Sequence, residues 1–216
     1  MTEDPRASAL RTGYAPVARA YREQLIDELA GKPLDRAFLD AFAERTRGLA
    51  GGRTVDVGCG PGQIARYLAG RGAAVEGIDL SPEMIAEAAA SHPGLWFRVG
   101  DMFALPYGDA TVGGIVAFYA IVHLAPDELA GPLGEFHRVL APGGLAAIAF
   151  HIGAETVHVD ELFGCTTSLD FRRHQPDAVA AALAAAGFAL EARLEREPYP
   201  GAEHQTRRCY LLARKP

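Results

Sequence analysis

Val55-Asp56-Val57-Gly58-Cys59-Gly60-Pro61-Gly62 is a short β run that ends in a glycine-rich turn. Two valines flanking an acid favour a pleated, half-buried segment. Three glycines within five positions then break it. Ile64 to Leu68 follows with helical character. Strand, glycine turn and helix in that order place a helix N-terminus, with its oriented N–H groups, beside the turn. Glycine lets the backbone turn sharply and approach a ligand closely. Taken alone, such a turn also suits a dinucleotide, or serves only as a tight connection.

Outward from this turn, strands and helices alternate. Ala74 to Ile78 reads as a second strand and Leu95 to Val99 as a third. Between them, Ser81-Pro82-Glu83 is a helix start: a capping hydroxyl, proline in the first turn and an acid near the positive helix end. Ile115 to Tyr119 is a fourth strand, continuously apolar as burial on both faces requires. Pro126-Asp127-Glu128 opens a helix with Leu129, Leu133, Phe136 and Leu140 as its stripe, and Pro142-Gly143-Gly144 leads into a fifth strand, Leu145 to Phe150. The Ala-rich stretch Ala178 to Ala186 is a helix closed by Gly187. Phe188 to Leu194 and Cys209 to Ala213 are strand-like with no helix between them, which predicts an antiparallel pair at one edge.

These elements predict an α/β fold: a Rossmann-like, doubly wound, seven-stranded sheet, mostly parallel with an antiparallel C-terminal edge hairpin. Upstream, Val17, Tyr21, Leu25 and Leu29 recur at helical spacing, and a second helix is expected from Leu34 to Arg47. Residues 1–50 are therefore expected to form an N-terminal helical cap on a domain spanning 51–216, the whole being one structural unit. The connection from Ile152 to Gln175 is long and shows no clear period. Long connections in compact domains tend to be functional, so residues 152–175 are expected to cover the substrate.

Bulk properties narrow the function. The 216 residues carry a formal net charge of −6 and no run of Lys and Arg, which disfavours a nucleic-acid partner. The three cysteines, Cys59, Cys165 and Cys209, are widely spaced and show no metal-ligand pattern, so no metal is expected. The first residues contain no apolar signal core, and no apolar run approaches the roughly 20 residues of a membrane span. A cytoplasmic protein without a membrane partner, monomeric or homodimeric, is the expectation.

Two further strand ends carry acids. Asp79, in Gly77-Ile78-Asp79-Leu80-Ser81, is placed to accept hydrogen bonds from both hydroxyls of a ribose. Capping the next helix is its alternative role. Asp101, in Gly100-Asp101-Met102, is placed to accept from an exocyclic amine such as that of adenine, or else serves as a turn residue. Ligands of open α/β sheets bind at the carboxyl ends of the strands, so three successive ends present glycines, an acid and an acid to one ligand.

At this point the chain resembles the class I, Rossmann-like S-adenosylmethionine (SAM)-dependent methyltransferases, and within that group it looks like small-molecule enzymes of the UbiE-like or actinobacterial type. The resemblance rests on VDVGCGPG (Val55 to Gly62), GIDLSPEMI (Gly77 to Ile85), GDMFALPY (Gly100 to Tyr107), GIVAFYAIVHL (Gly114 to Leu124) and RVLAPGGLAAIAF (Arg138 to Phe150). It implies SAM as cofactor, S-adenosylhomocysteine (SAH) as product and a small-molecule methyl acceptor. It implies Gly58 and Gly60 close to the methionine part, with Asp56 supporting that loop. It places Asp79 on the ribose, Leu80 and Met84 on the adenine, Asp101 on the adenine amino group with Met102 beside it, and the Phe118 carbonyl on the ammonium. Tyr14 and Tyr21 lie where related enzymes close a helix over the cofactor carboxylate; core packing is the alternative for each. After strand four the chain has Phe118-Tyr119-Ala120 rather than the Asn-Pro-Pro-Tyr type of motif found in enzymes that methylate nucleic-acid amines.

A general base is required only if the acceptor loses a proton. His151, ending strand five, is the first candidate and His123 the second, because imidazole titrates near working pH. Tyr119 is a candidate for orienting the acceptor, and Phe163 and Phe171 for apolar walls around it. The acceptor atom, O, N or C, stays open. Two other readings stand beside methyl transfer: a module that binds SAM or SAH without catalysis, and an NAD-dependent oxidoreductase, whose usual GxGxxG turn differs from Gly58-Cys59-Gly60-Pro61-Gly62.

Overall fold

Thr54–Val57 forms β1, and every residue of it is buried. In the computed structural model, which describes residues 4–216, β1 lies between two parallel neighbours, β2 (Val75–Asp79) and β4 (Val112–Phe118). β3 (Trp96–Val99) adds beyond β2, and β5 (Leu140–His151) beyond β4. The sheet is completed by β8 (Ala189–Arg196) and β9 (Arg208–Arg214), giving the order β3-β2-β1-β4-β5-β9-β8. β9 is antiparallel to both β5 and β8, so the antiparallel edge hairpin is present, with β8 outermost. The chain winds outward from β1 in one direction and restarts beside it at β4. This reversal opens a crevice at the carboxyl ends of β1 and β4.

Alternation along β4 explains its unbroken apolar character. Ile115 and Ala117 face one side, against Leu133 and Phe136 of α6 (Ala130–Val139) and Val179 and Leu183 of α7 (Pro176–Ala185). Val116 and Phe118 face the other, against Leu39 and Phe42 of α3 (Pro33–Thr46) and Ile64 and Leu68 of α4 (Gln63–Ala69). Helix α5 (Pro82–Ser91) starts as the sequence predicts: the Ser81 hydroxyl accepts from Met84 N at 3.2 Å, with Pro82 next.

Two expectations differ in detail. The helical period through Leu29 stops at Leu25. Helix α1 (Pro5–Tyr14) and helix α2 (Ala18–Leu25) are followed by a 3-10 turn, Glu28–Gly31. The tighter turn buries Leu29 in the core and leaves Glu28 and Lys32 lining a cavity. The segment 152–175 has a period after all. It folds into a hairpin, β6 (Thr156–Leu162) and β7 (Cys165–Arg172), whose Val157 and Phe171 pair across the strands, as do Val159 and Leu169. His158, Asp160 and Asp170 lie on an exposed face, where His158 hydrogen-bonds both carboxylates. Phe163 and Gly164 both take positive φ, 54° and 77°, which suits a two-residue hairpin turn. Leu169 packs where a side chain on Gly13 of α1 would collide with it, and Thr167 Oγ1 donates to the Gly13 carbonyl at 2.6 Å.

Phe136 is fully buried between α6 and the sheet. Phe136→Ala is expected to lower the unfolding free energy by about 3–5 kcal/mol, measured by urea denaturation. A loss below about 1 kcal/mol would contradict this packing.

Candidate functional site

A cavity of about 820 Å3 opens over the carboxyl ends of the parallel strands. It lies in the upper part of the roughly 300–1,000 Å3 range of small-molecule sites. Its floor is the glycine turn and the tips of β2, β3 and β4; its walls come from α1, α2, the β6–β7 hairpin and the loop before β9.

Residues of the glycine turn adopt the backbone that the sequence requires. Gly58 has φ 69°, and a Cβ there would lie 2.5 Å from the Ala120 Cβ. Gly62 has φ 83° and would drive a Cβ into the Phe97 ring at 2.7 Å. At Gly60 a Cβ would project into open cavity, with Tyr21 its nearest neighbour at 3.9 Å. Asp56 Oδ2 accepts from Ala65 N at 3.0 Å, fastening α4 to β1. Burial pushes the Asp56 carboxyl up to about 8, with nearby Asp79 adding to the rise.

Asp79 takes up its alternative role at the next helix start and adds a bond to the glycine turn. Its Oδ1 accepts from Ser81 N at 2.9 Å, the helix-capping role. Its Oδ2 accepts from Gly60 N at 2.8 Å, across to the glycine turn. Burial raises its pKa, partly offset by these backbone donors. A carboxylate has about four acceptor positions, so Asp79 retains capacity toward the cavity it lines. Asp101 accepts from Phe103 N at 3.0 Å, a turn bond, and pairs with Arg6 of α1 at 3.1 Å. The Arg6 guanidinium lies 4.3 Å over the Phe103 ring. Leu80, Met84, Met102 and Phe118 line the same space.

Tyr14 and Tyr21 also line the cavity, edge to face at 6.0 Å. Tyr21 meets Phe163 at 5.6 Å, joining α2 to the hairpin tip. The Tyr14 hydroxyl lies 2.8 Å from His123 Nε2, and His123 Nδ1 lies 2.7 Å from the Asp170 carbonyl. A carbonyl only accepts, so Nδ1 carries the proton and neutral His123 accepts at Nε2 from Tyr14. Burial pushes the His123 pKa down to about 4. Phe171 packs on this ring at 5.0 Å. His151 stacks on Tyr119 at 4.9 Å, with Nδ1 2.6 Å from Thr206 Oγ1. Burial first, then Arg208, His204, Arg173 and Lys32, push its pKa down to about 3. Both histidines are thus neutral at working pH, and the lone pair of His123 is already used.

Several cavity residues escaped sequence reasoning. Gln63, the first residue of α4, donates from Nε2 to Glu28 Oε1 at 2.9 Å, and its buried Oε1 has no partner. Glu28 pairs with Lys32, and Lys32 lies 3.7 Å from Glu203. Glu203 is buried against Arg196 and Arg208. These charges are scattered along the chain, and only the fold brings them together. Among the described residues, no group of three or more His, Cys, Asp or Glu side chains could hold a metal ion. No helix among them is long and apolar enough to cross a membrane.

Comparisons with known proteins agree with this geometry. Residues 54–144 match the methyltransferase domain family. Demethylmenaquinone methyltransferase of Chlorobaculum parvum is 32% identical over 146 residues, 65% of this chain and 59% of that protein. Malonyl-[acyl-carrier protein] O-methyltransferase of Erwinia billingiae is 30% identical over 151 residues, 69% of this chain and 56% of that protein. The chain thus spans less than two thirds of the length of these relatives. The crystal structure of magnesium protoporphyrin IX methyltransferase from Synechocystis, with bound SAM, superposes over 100% of both chains with a TM-score of 0.74 at 15% identity. Residues 54–144 thus form a methyltransferase domain, and the strand order places it on the class I, Rossmann-like methyltransferase fold.

Proposed function

We propose that this chain binds SAM in its cavity and transfers the methyl group to a small-molecule acceptor. One observation carries the reading. Three consecutive parallel strand ends bring Gly58 and Gly60, Asp79, and Asp101 to the wall of a single cavity that also has an aromatic side. The residues present fit the cofactor. Gln63 Oε1 is a buried acceptor without a donor beside the Glu28 carboxylate, a pairing suited to an ammonium. The open face of Gly60 leaves space that any side chain would fill. Gly58, Gly60, Gln63 and the Phe118 carbonyl would hold the amino-acid part, Asp79 the ribose, and Leu80, Met84, Asp101 and Met102 the adenine.

When bound, SAM supplies a reactive sulfonium methyl group. The chain's own contribution is placement and exclusion of water. Holding reactants in line is worth roughly 7–11 kcal/mol of barrier. Helices within residues 1–50 and the hairpin within 152–175 act as the cap, with Tyr21 and Phe163 closing it. Phe171 and Tyr119 wall the acceptor end. His151 and His123 are neutral groups that orient by hydrogen bonding and ring contact; burial has taken most of their basicity. Three unpaired cysteines support a reducing, cytoplasmic setting. The low basicity of both histidines also fits a second reading, a protein that binds SAM or SAH without turnover. Turnover on a metabolite panel separates the two.

Asp79→Ala is expected to weaken SAH binding by roughly ten- to hundredfold, since hydrogen bonds to charged groups are worth about 1.5–3 kcal/mol. Calorimetry with SAH measures this, and unchanged affinity would contradict the ribose placement. Wild-type protein that fails to bind SAH at all would contradict the proposed function.

His123 and His151 also predict acid sensitivity. Folding depresses both below the unfolded value near 6.5. Their neutral forms therefore stabilise the fold fully above about pH 6.5, and this contribution is lost as pH falls toward about 4 for His123 and about 3 for His151. Each adds a slope of up to about 1.4 kcal/mol per pH unit. Urea unfolding between pH 7 and pH 4 is expected to show a shallower fall in His151→Gln than in wild type. Equal slopes would refute the buried neutral state.

A further inference from the structure

The polar wall beside Tyr119 contains a hydrogen-bond chain whose direction is fixed by charge. Asp35 of α3 is buried, and its Oδ2 accepts from Arg196 Nε at 3.0 Å and Nη2 at 2.7 Å. The guanidinium favours the ionised carboxylate, although burial raises its pKa. An ionised carboxylate only accepts, so Tyr210 Oη donates to Asp35 Oδ1 at 2.8 Å. Tyr210 has a single proton. The 3.1 Å contact between the Tyr119 and Tyr210 hydroxyls is therefore donated by Tyr119. Arg196 Nε donates to the same Tyr210 oxygen at 3.0 Å, consistent with that polarity. The one proton of Tyr119 is thus turned into the wall, and its free lone pair is left for the cavity that Tyr119 lines.

Resting on the methyl-transfer reading, we propose that Tyr119 selects the methyl acceptor by accepting a hydrogen bond from the acceptor's own O–H or N–H. Asp35 is the positioning residue that sets this polarity through Tyr210. The substrate class is a molecule that brings a hydrogen to the reacting heteroatom, rather than a carboxylate that arrives ionised. The cations nearest Tyr119 do not offset this. Lys32 is engaged by Glu28, and the terminal nitrogens of Arg208 donate to the Thr206 and His204 carbonyls. The arrangement also distinguishes substrate from product. Methyl transfer would form the acceptor O–CH3 bond as the sulfonium S–CH3 bond breaks to leave SAH, with the displaced proton passing to water; the resulting ether has no proton left for Tyr119, so the wall that held the substrate has no hydrogen bond for the product.

The backbone supports the assignment. Tyr119 has φ 58°, a left-handed conformation that costs a non-glycine residue energy and tends to occur at functional positions. Its ring is held by His151 and its hydroxyl by Tyr210.

The test uses SAH-saturated full-length protein and three aromatic probes of one shape: 2-naphthol, which brings a donor; 2-methoxynaphthalene, its methyl ether; and 2-naphthoate, a carboxylate. Calorimetry is expected to show 2-naphthol binding about tenfold tighter than the ether, the size of one well-made hydrogen bond, and 2-naphthoate no tighter than the ether. Tyr119→Phe is expected to remove the preference. Asp35→Asn gives a sharper result. The two Arg196 donors hold the amide oxygen at the Oδ2 position, so the amide NH2 donates to Tyr210, the chain reverses and the Tyr119 proton turns into the cavity. The preference for naphthol over the ether should then disappear while 2-naphthoate, which only accepts, becomes the tightest of the three, a gain that loss of packing alone would not produce. Equal affinity for naphthol and ether in wild type, tightest binding of naphthoate in wild type, or an unchanged preference in folded Asp35→Asn would overturn the proposal. The wild-type order and Tyr119→Phe decide the matter even if Asp35→Asn does not fold. Protein that does not bind SAH would overturn the methyl-transfer reading, and this proposal with it.

Discussion

The Asp79 carboxylate ties together the two loops on which the site depends. Its two oxygens reach Gly60 N in the turn after β1 and Ser81 N at the start of α5. β1 and β2 are already adjacent and in register, with Val57 opposite Ile78. The carboxylate extends that pairing past the strand ends, where backbone ladders stop. Its burial makes the arrangement demanding. A partly buried acid destabilises its own charge unless donors meet it, and here the backbone N–H groups of Gly60, Leu80 and Ser81 do so while Asp79 still lines the cavity. The same group that fixes the loops therefore also lines the cavity.

A second constraint acts on the far side of the cavity. Asp35, Arg196, Glu203, Arg208, Lys32 and Glu28 form a largely buried ionic network joining helices near the N-terminus to strands near the C-terminus. Such networks seldom add much stability over apolar packing, because each ion loses hydration, but breaking one member leaves a stranded charge. What this network does add is direction. It holds Tyr210 and Tyr119 in one hydrogen-bonding sense, and it joins Gln63 of the glycine-turn helix to the polar side of the cavity through Glu28 and Lys32.

Legibility in the sequence followed the range of the interactions. β1, the glycine turn, the Ser81 cap and the placement of acids at the ends of β2 and β3 are local patterns, legible because short-range chemistry determines where they fall. The edge hairpin was legible because no helical period separates its strands. Residues 152–175 were misread as aperiodic. The alternation of Val157, His158, Val159 and Asp160 is interrupted by an irregularity before Glu161, and Phe163 in a turn looks apolar rather than turn-forming. Lys32, Asp35, Arg196 and Glu203 were invisible as a group, since up to 171 positions separate partners that only the folded sheet brings into contact. Arg6 escaped for the same reason: its partner Asp101 lies 95 residues away. His151 and His123 were found as residues, but not in their state. Sequence shows an imidazole, whereas its basicity depends on burial that only packing defines.

That difference bears on the part of the cavity around Tyr119. A buried neutral imidazole is a poor proton sink, and surrounding it with Lys32, Arg173 and Arg208 makes it poorer. Yet the same ring packed on Tyr119 fixes a phenol whose backbone is already in an uncommon conformation. Strain of this kind persists only where surroundings over-determine the position. Here three contacts do so: the His151 ring, the Tyr210 hydroxyl and the Ala149 carbonyl that accepts from Tyr119 N at 2.8 Å. The histidine is therefore better understood through what it holds still than through what it deprotonates. The polarity of the wall, set from Asp35, becomes the feature with chemical consequences for whatever enters.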